Sequence, residues 1–204
     1  MNQTPTRGNY LTQAWLVILL ALLYGGALAA VQMGLGERIQ KNKQNETYDQ
    51  IPQLVPGADK AKTVEHEIQG QNHKHAIVYE ARNQQGTRLG WVLPGSGQGF
   101  ADRIELLIGL DPPLTTILGL YVLDQKETPG LGNYITSAEK FRDQFSGKQT
   151  DPPLAVVKMD PDPKHEIQAI TGATISSTSV SQIVNHTIEN LRQPILDLPA
   201  TAQH

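Results

Sequence analysis

From Ala14 to Val31 the chain carries no charged side chain. As a helix rising about 1.5 Å per residue, eighteen residues span roughly 27 Å, close to the ~30 Å of a bilayer's hydrocarbon core. Trp15, near the start of the run, suits the membrane interface. The stretch predicts a single transmembrane helix over residues 11–34, preceded by a short polar tail, 1–10, whose one charged side chain is Arg7. Two other readings compete. Ala27-Leu28-Ala29 resembles a secretory cleavage site, but the apolar run is longer than the usual signal core. A core helix of a water-soluble domain would need a polar face, which this run lacks. Arg38, Lys41 and Lys43 follow the helix, and by count of basic residues they would place the C-terminal side in the cytoplasm.

The remainder is long enough for one domain. Residues 35–59 are polar, with Pro52 and Pro56, and read as a helix extension and then a linker. The folded domain is expected over 60–194, with a C-terminal tail over 195–204. Ala76–Tyr79, Leu89–Leu93, Glu105–Leu110, Thr116–Leu123 and Leu154–Lys158 read as strands. Pro94–Gly99 reads as a loop and Ser137–Phe145 as a short helix. Val180, Ile183, Val184, Ile188 and Leu191 recur at helical spacing and predict a terminal helix. Short neighbouring strands with a few helices indicate an α+β domain.

Several function classes fall away. The net charge is −3, with no run of Lys and Arg, which argues against a nucleic-acid partner. Cysteine is absent, so disulfides, thiol catalysis and cysteine-ligated iron–sulfur clusters are excluded in this chain. His66, His73 and His75 lie in a polar stretch without metal-ligand spacing and read as solvated surface residues. No metal site is expected. Gly95-Ser96-Gly97-Gln98-Gly99 lacks the Lys-Ser/Thr of a nucleotide-triphosphate loop. Gly97 and Gly99 read as places where the backbone meets a flat ligand or turns a strand.

The chemistry concentrates just before the terminal helix, in Thr171-Gly172-Ala173-Thr174-Ile175-Ser176-Ser177. Unpaired backbone N–H groups and a positive dipole end make a helix N-terminus able to hold a phosphate. Gly172 and Ala173 leave room beside the Thr174 hydroxyl. The same hydroxyls could equally be ordinary helix caps. Upstream, Glu127-Thr128-Pro129-Gly130-Leu131-Gly132 contains a Pro-Gly pair typical of a type II turn, yet a turn alone does not call for Glu127 or Thr128.

Thr171-Gly172-Ala173-Thr174 resembles the Ser/Thr-Gly-Ala-Thr flavinylation motif of the covalent FMN-binding domain family. Glu127 to Gly132 matches that family's Glu-Thr-Pro-Gly-Leu-Gly block at every position. Gly97-Gln98-Gly99-Phe100, with Ile104 and Leu107-Ile108-Gly109-Leu110-Asp111, resembles its glycine-aromatic turn and following strand. Gln168 stands where the family often has an acidic residue, and Phe100–Arg103 holds less glycine than usual.

The family includes the G subunit of the Rnf electron transport complex and the C subunit of the sodium-translocating NADH:quinone reductase; the short chain fits the former better. The resemblance implies FMN ester-linked through its phosphate to Thr174, which acts as an acceptor and not as a catalytic residue. It implies a cofactor site of Thr174 with Thr171, Gly172, Ala173, Ser176, Ser177, Glu127, Thr128, Gly130, Leu131 and Gly132. It further implies a redox subunit without complete activity of its own, held in the cytoplasmic membrane by one helix, with the flavin domain on the outer, periplasmic side. Its partners would be other subunits of an ion-translocating complex and a flavin transferase that matures it. Two alternatives remain at this point: a membrane-anchored binding or regulatory module that keeps the fold without the cofactor, and a stand-alone flavin reductase. The latter lacks a nicotinamide-binding fingerprint.

Overall fold

The structure, a computed structural model, describes residues 10–198. The expected N-terminal tail lies outside the described residues apart from Tyr10, as do residues 199–204 of the expected C-terminal tail. The chain divides into two units after Gln44. Helix α1, Tyr10–Leu54, makes up the described part of the first unit and contributes its last turns to the second. Within the first unit, Leu16, Leu22, Leu28 and Met33 are all exposed, and the helix is long and apolar enough to cross a membrane by length and composition.

The second unit is built on a five-stranded antiparallel sheet in sequence order: β1 (Val64–Gln69), β2 (His75–Arg82), β3 (Arg88–Gln98), β4 (Arg103–Leu110) and β5 (Ile117–Asp124). Short parallel strands β6 (Ala155–Val157) and β7 (Glu166–Gln168) form a second small sheet. Helix α2, Thr174–Leu196, closes the unit. Mixed helix and sheet, with the helices outside an antiparallel meander, is the α+β arrangement expected.

The pleat sends alternate residues to opposite faces. On one face Trp91, Leu93, Ile104, Leu106 and Ile108 meet Val180, Val184, Ile188 and Leu191 of α2, with Phe141 and Phe145 filling the end. The glycines of β3 admit the helix. A Cβ on Gly97 would stand 2.6 Å from Ile183 Cγ1. The Pro94–Gly99 stretch, expected as a loop, is therefore strand up to Gln98. At Gly95 and Gly97 side chain is missing because α2 occupies the space; at Gly99 the backbone does turn, its N–H donating to the Asp102 carbonyl over 2.8 Å.

The other face carries Tyr79, Ala81, Val92 and Leu107, covered by Ile51 and Leu54 from the end of α1 and by Val55 just after it. Leu54 lies against β4 so closely that a Cβ on Gly109 would be 2.5 Å from its carbonyl oxygen. Residues expected as linker thus form half of this second core cluster: α1 runs to Leu54, and Thr47, Ile51, Leu54 and Val55 are buried. Pro52 sits in the last turn of α1, and polar residues on the outward side give the segment its linker-like composition.

Three smaller differences follow the same logic. Strand β1 is not expected from its sequence because Val-Glu-His-Glu-Ile-Gln buries fully only Ile68, the pattern of a solvated edge strand. Ser137–Phe145 is not an α-helix. Short 3₁₀ turns at Gly132–Thr136 and Arg142–Phe145 place Ile135, Phe141 and Phe145 in the core instead. Ile195 and Leu196, expected in the tail, belong to α2.

Candidate functional site

Two glycine turns face one another at the N-terminal end of α2. In the first, the Leu131 N–H donates to the Thr128 carbonyl over 3.2 Å with Gly130 at φ +76°. In the second, the Ala173 N–H donates to the Ile170 carbonyl over 2.9 Å with Gly172 at φ +81°. A left-handed residue at the third position of a four-residue turn is the type II geometry. Leu131 bridges the two: its Cδ2 lies 3.0 Å from where a Cβ on Gly172 would be.

Ser177, 0% exposed, locks the second turn to the helix. Its Oγ accepts the Ile170 N–H and donates to the Ala173 carbonyl, both at 3.0 Å. Ser176 is 2% exposed and donates to Glu127 Oε2 over 2.6 Å. Glu127, 4% exposed, also accepts the Ala101 N–H at Oε1 over 3.1 Å. Both serines are therefore spent inside the protein, and Thr174 is the helix's first, exposed hydroxyl.

The capping explanation of these hydroxyls fails in the structure. The N-cap residue of α2 is Ala173, and no side chain caps the helix. Alanine is among the poorest N-caps because it offers no acceptor to the first orphan N–H groups. The first residues of the helix, Thr174 to Ser176, line a cleft of about 310 Å³. That volume is at the lower end of small-molecule sites, which run from about 300 to 1,000 Å³.

Phe100, Glu127, Thr128, Leu131, Gly132, Gly172, Ala173, Thr174, Ile175 and Ser176 line this cleft. It holds most of the residues singled out in the sequence. Thr171, Gly130 and Ser177 are not in its lining; Gly130 and Ser177 shape the turns behind it. Phe100 and Ile175 also line the cleft, though neither was among the expected cofactor-site residues. They are 61% and 58% exposed, and with Leu131 at 45% they set three large apolar side chains on the rim. The signal available in the sequence was their position: each adjoins a glycine turn or Thr174 itself. No Lys, Arg or His lines the cleft, so a phosphate there would be met by the helix N-terminus alone.

A second polar cluster carries no signature in the sequence. Glu80, 1% exposed, pairs with Arg82 Nε at 3.0 Å, Arg88 Nε at 2.7 Å and His66 Nε2 at 2.8 Å. Burial pushes its carboxyl up, but the hydrogen bonds from Arg82, Arg88 and His66 outweigh burial and hold it down to about 2. His66 is consequently not a solvated surface histidine. Among the described residues, no group of three or more His, Asp or Glu could hold a metal ion.

A meander packed under one helix, whose N-terminus has no side-chain cap and borders a turn-bounded, largely apolar cleft, is an arrangement able to hold a small ligand. Residues 99–189 match the FMN-binding domain family. The chain is similar to the G subunit of an ion-translocating oxidoreductase complex from Methanosarcina acetivorans, at 29% identity over 84% of each chain. It is also similar to the G subunit of the Na⁺-translocating ferredoxin:NAD⁺ oxidoreductase complex of Acetobacterium woodii. There the identity is 32% over 67% of this chain and 65% of the relative. Among solved structures, the C subunit of the Na⁺-translocating NADH-quinone reductase from Parabacteroides distasonis shares the fold. Its TM-score is 0.58 at 20% identity, over 80% of this chain and 96% of that one.

Proposed function

We propose that this chain is a membrane-anchored electron-carrier subunit of an ion-translocating electron transport complex of the Rnf type, with FMN held covalently by a phosphoester to Thr174. The observation that carries the reading is the exposed Thr174 hydroxyl on the first turn of a helix that no side chain caps, facing an apolar cleft. The residues fit the group. The first N–H groups of α2 would hold the phosphate, and Thr174 would bear the ester. Leu131, Phe100 and Ile175 would offer apolar contact to the ring, and the Thr128 hydroxyl and the loop backbone would offer hydrogen bonds.

FMN, when bound, supplies one- and two-electron transfer. The chain's own part is to hold it at an open cleft that a partner can approach. No free base stands among the cleft residues to activate Thr174: the one carboxylate in the lining, Glu127, is engaged by Ser176 and Ala101. An unactivated threonine hydroxyl is a poor nucleophile, which supports maturation by a separate flavin transferase. The similarity to complex subunits supports other membrane subunits as partners and α1 as the anchor. We place the flavin domain outside the cytoplasm; a covalent tether is of most use where released flavin would be lost. Arg38, Lys41 and Lys43 oppose that side by charge count, and other subunits of a complex would have to fix the orientation.

Intact mass and peptide mapping of the protein from its native membrane test the reading. An FMN phosphoester on the Thr174 peptide is expected. Thr174→Val should abolish it while the sheet stays folded. Unmodified wild-type peptide, from cells that flavinylate other proteins, would refute the assignment.

A further inference from the structure

The geometry points to Glu127 as a positioning residue: a buried carboxylate that clamps the Gly99–Ala101 turn to the first turn of α2 and so fixes Phe100 opposite Thr174 across the cleft. Its importance for the cofactor rests on the FMN reading above; the clamp itself does not.

Glu127 lies at the start of the loop it shares with Thr128 and Leu131, yet its side chain turns into the protein. Each oxygen accepts from a different segment. Oε1 takes the Ala101 N–H at 3.1 Å and Oε2 takes the Ser176 hydroxyl at 2.6 Å. Its own N–H donates to Gln125 Oε1 over 2.6 Å, which pins the loop before the turn. A carboxylate suits this place because it is acceptor-only and both groups facing it are donors. The surroundings are cut to admit it. A Cβ on Gly132 would stand 2.8 Å from Oε2 and 2.7 Å from Ser176 Oγ, and one on Gly99 would collide with Oε1.

Three stretches far apart in sequence thus converge on one side chain. The exposed residues they carry are the walls of the cleft: Phe100 from the turn, Leu131 from the loop, Thr174 and Ile175 from the helix. Buried hydrogen-bonded groups cost most when one partner is removed and the others stay unpaired. Loss of the carboxylate therefore strands a buried serine hydroxyl and a backbone N–H at the two walls of the site. Elsewhere in the fold it disturbs little.

The test compares the full chain in detergent with its Glu127→Gln, Glu127→Ala and Ser176→Ala variants by amide hydrogen exchange, before and after flavin attachment. An amide at 127 can still accept from Ala101 and donate to Ser176 Oγ. Glu127→Gln should therefore keep wild-type exchange. Glu127→Ala should speed exchange tenfold or more over residues 99–102 and 172–177 and leave β4 unchanged. Ser176→Ala should speed it at 172–177 alone, and it stands in if Glu127→Ala does not fold. On protein carrying flavin, quenching of flavin fluorescence by iodide should rise in Glu127→Ala and return to wild type in Glu127→Gln. Uniformly faster exchange in Glu127→Ala, or a Glu127→Gln variant as loose as the alanine, would overturn the assignment. Absence of flavin on wild-type Thr174 would refute the FMN reading alone, since the exchange comparison does not use it.

Discussion

A chain beginning at Lys60, where the sequence places the start of the domain, should fail to fold, whereas one beginning at Asn45 should fold cooperatively. The difference is the end of α1. Ile51, Leu54 and Val55 are 0%, 3% and 1% exposed against Tyr79, Ala81, Val92 and Leu107. Burying each such side chain stabilises by roughly 1.5–3 kcal/mol, so the three together contribute about 5–9 kcal/mol. Domains of this size are stable by about 5–15 kcal/mol in total. The shorter chain also loses the Tyr121–Glu46 hydrogen bond of 2.9 Å and the Tyr48–Tyr79 edge contact, and it uncovers a second sheet face to water. Urea unfolding followed by near-UV circular dichroism is the assay. The chain from Asn45 should give one steep transition, and the chain from Lys60 none, with strong binding of a hydrophobic dye. In the full chain, Leu54→Ala should cost about 2–5 kcal/mol, while Gln53→Ala, on the exposed side, should cost almost nothing. Equal midpoints and slopes for the two truncated chains would refute the claim that the end of α1 is core.

Two further outcomes follow from the packing. The Glu80 carboxyl is held near 2, below its ordinary 4.5. A depressed carboxyl stabilises the fold above about pH 4.5 and loses that contribution as pH falls toward 2. The shift corresponds to about 3 kcal/mol. Unfolding free energies of wild type and Glu80→Gln from urea titration should therefore differ by that order at pH 6 and converge near pH 2. Gly97→Ala would place a methyl 2.6 Å from Ile183 Cγ1. Overpacking of this kind costs about 1–3 kcal/mol, which should lower the melting temperature by roughly 4–8 °C at mid-range.

The membrane-spanning length of α1, the apolar stripe of α2, four of the five meander strands and the Pro129-Gly130 turn could be read along the chain. Each is specified by local pattern: an uncharged run, helical spacing, short apolar stretches, and a Pro-Gly pair where a positive φ is required. What could not be read depended on partners distant in sequence. Gly95 to Gly97 looks like a loop until Ile183 and Thr187 are seen to lie on it. Residues 45–55 look like a linker until the second face of the sheet is seen to need a cover. Ser176 and Ser177 look like phosphate ligands or caps until Glu127, Ile170 and Ala173 are found to consume them. Local pattern was enough to say which segments could be helix, strand or turn, and that a threonine stood at a helix start. Which hydroxyl is left free was settled by the packed fold alone. Hydrogen-bond partners and close approaches are set by three-dimensional neighbours, and the 49 positions between Glu127 and Ser176 leave no trace in either local pattern.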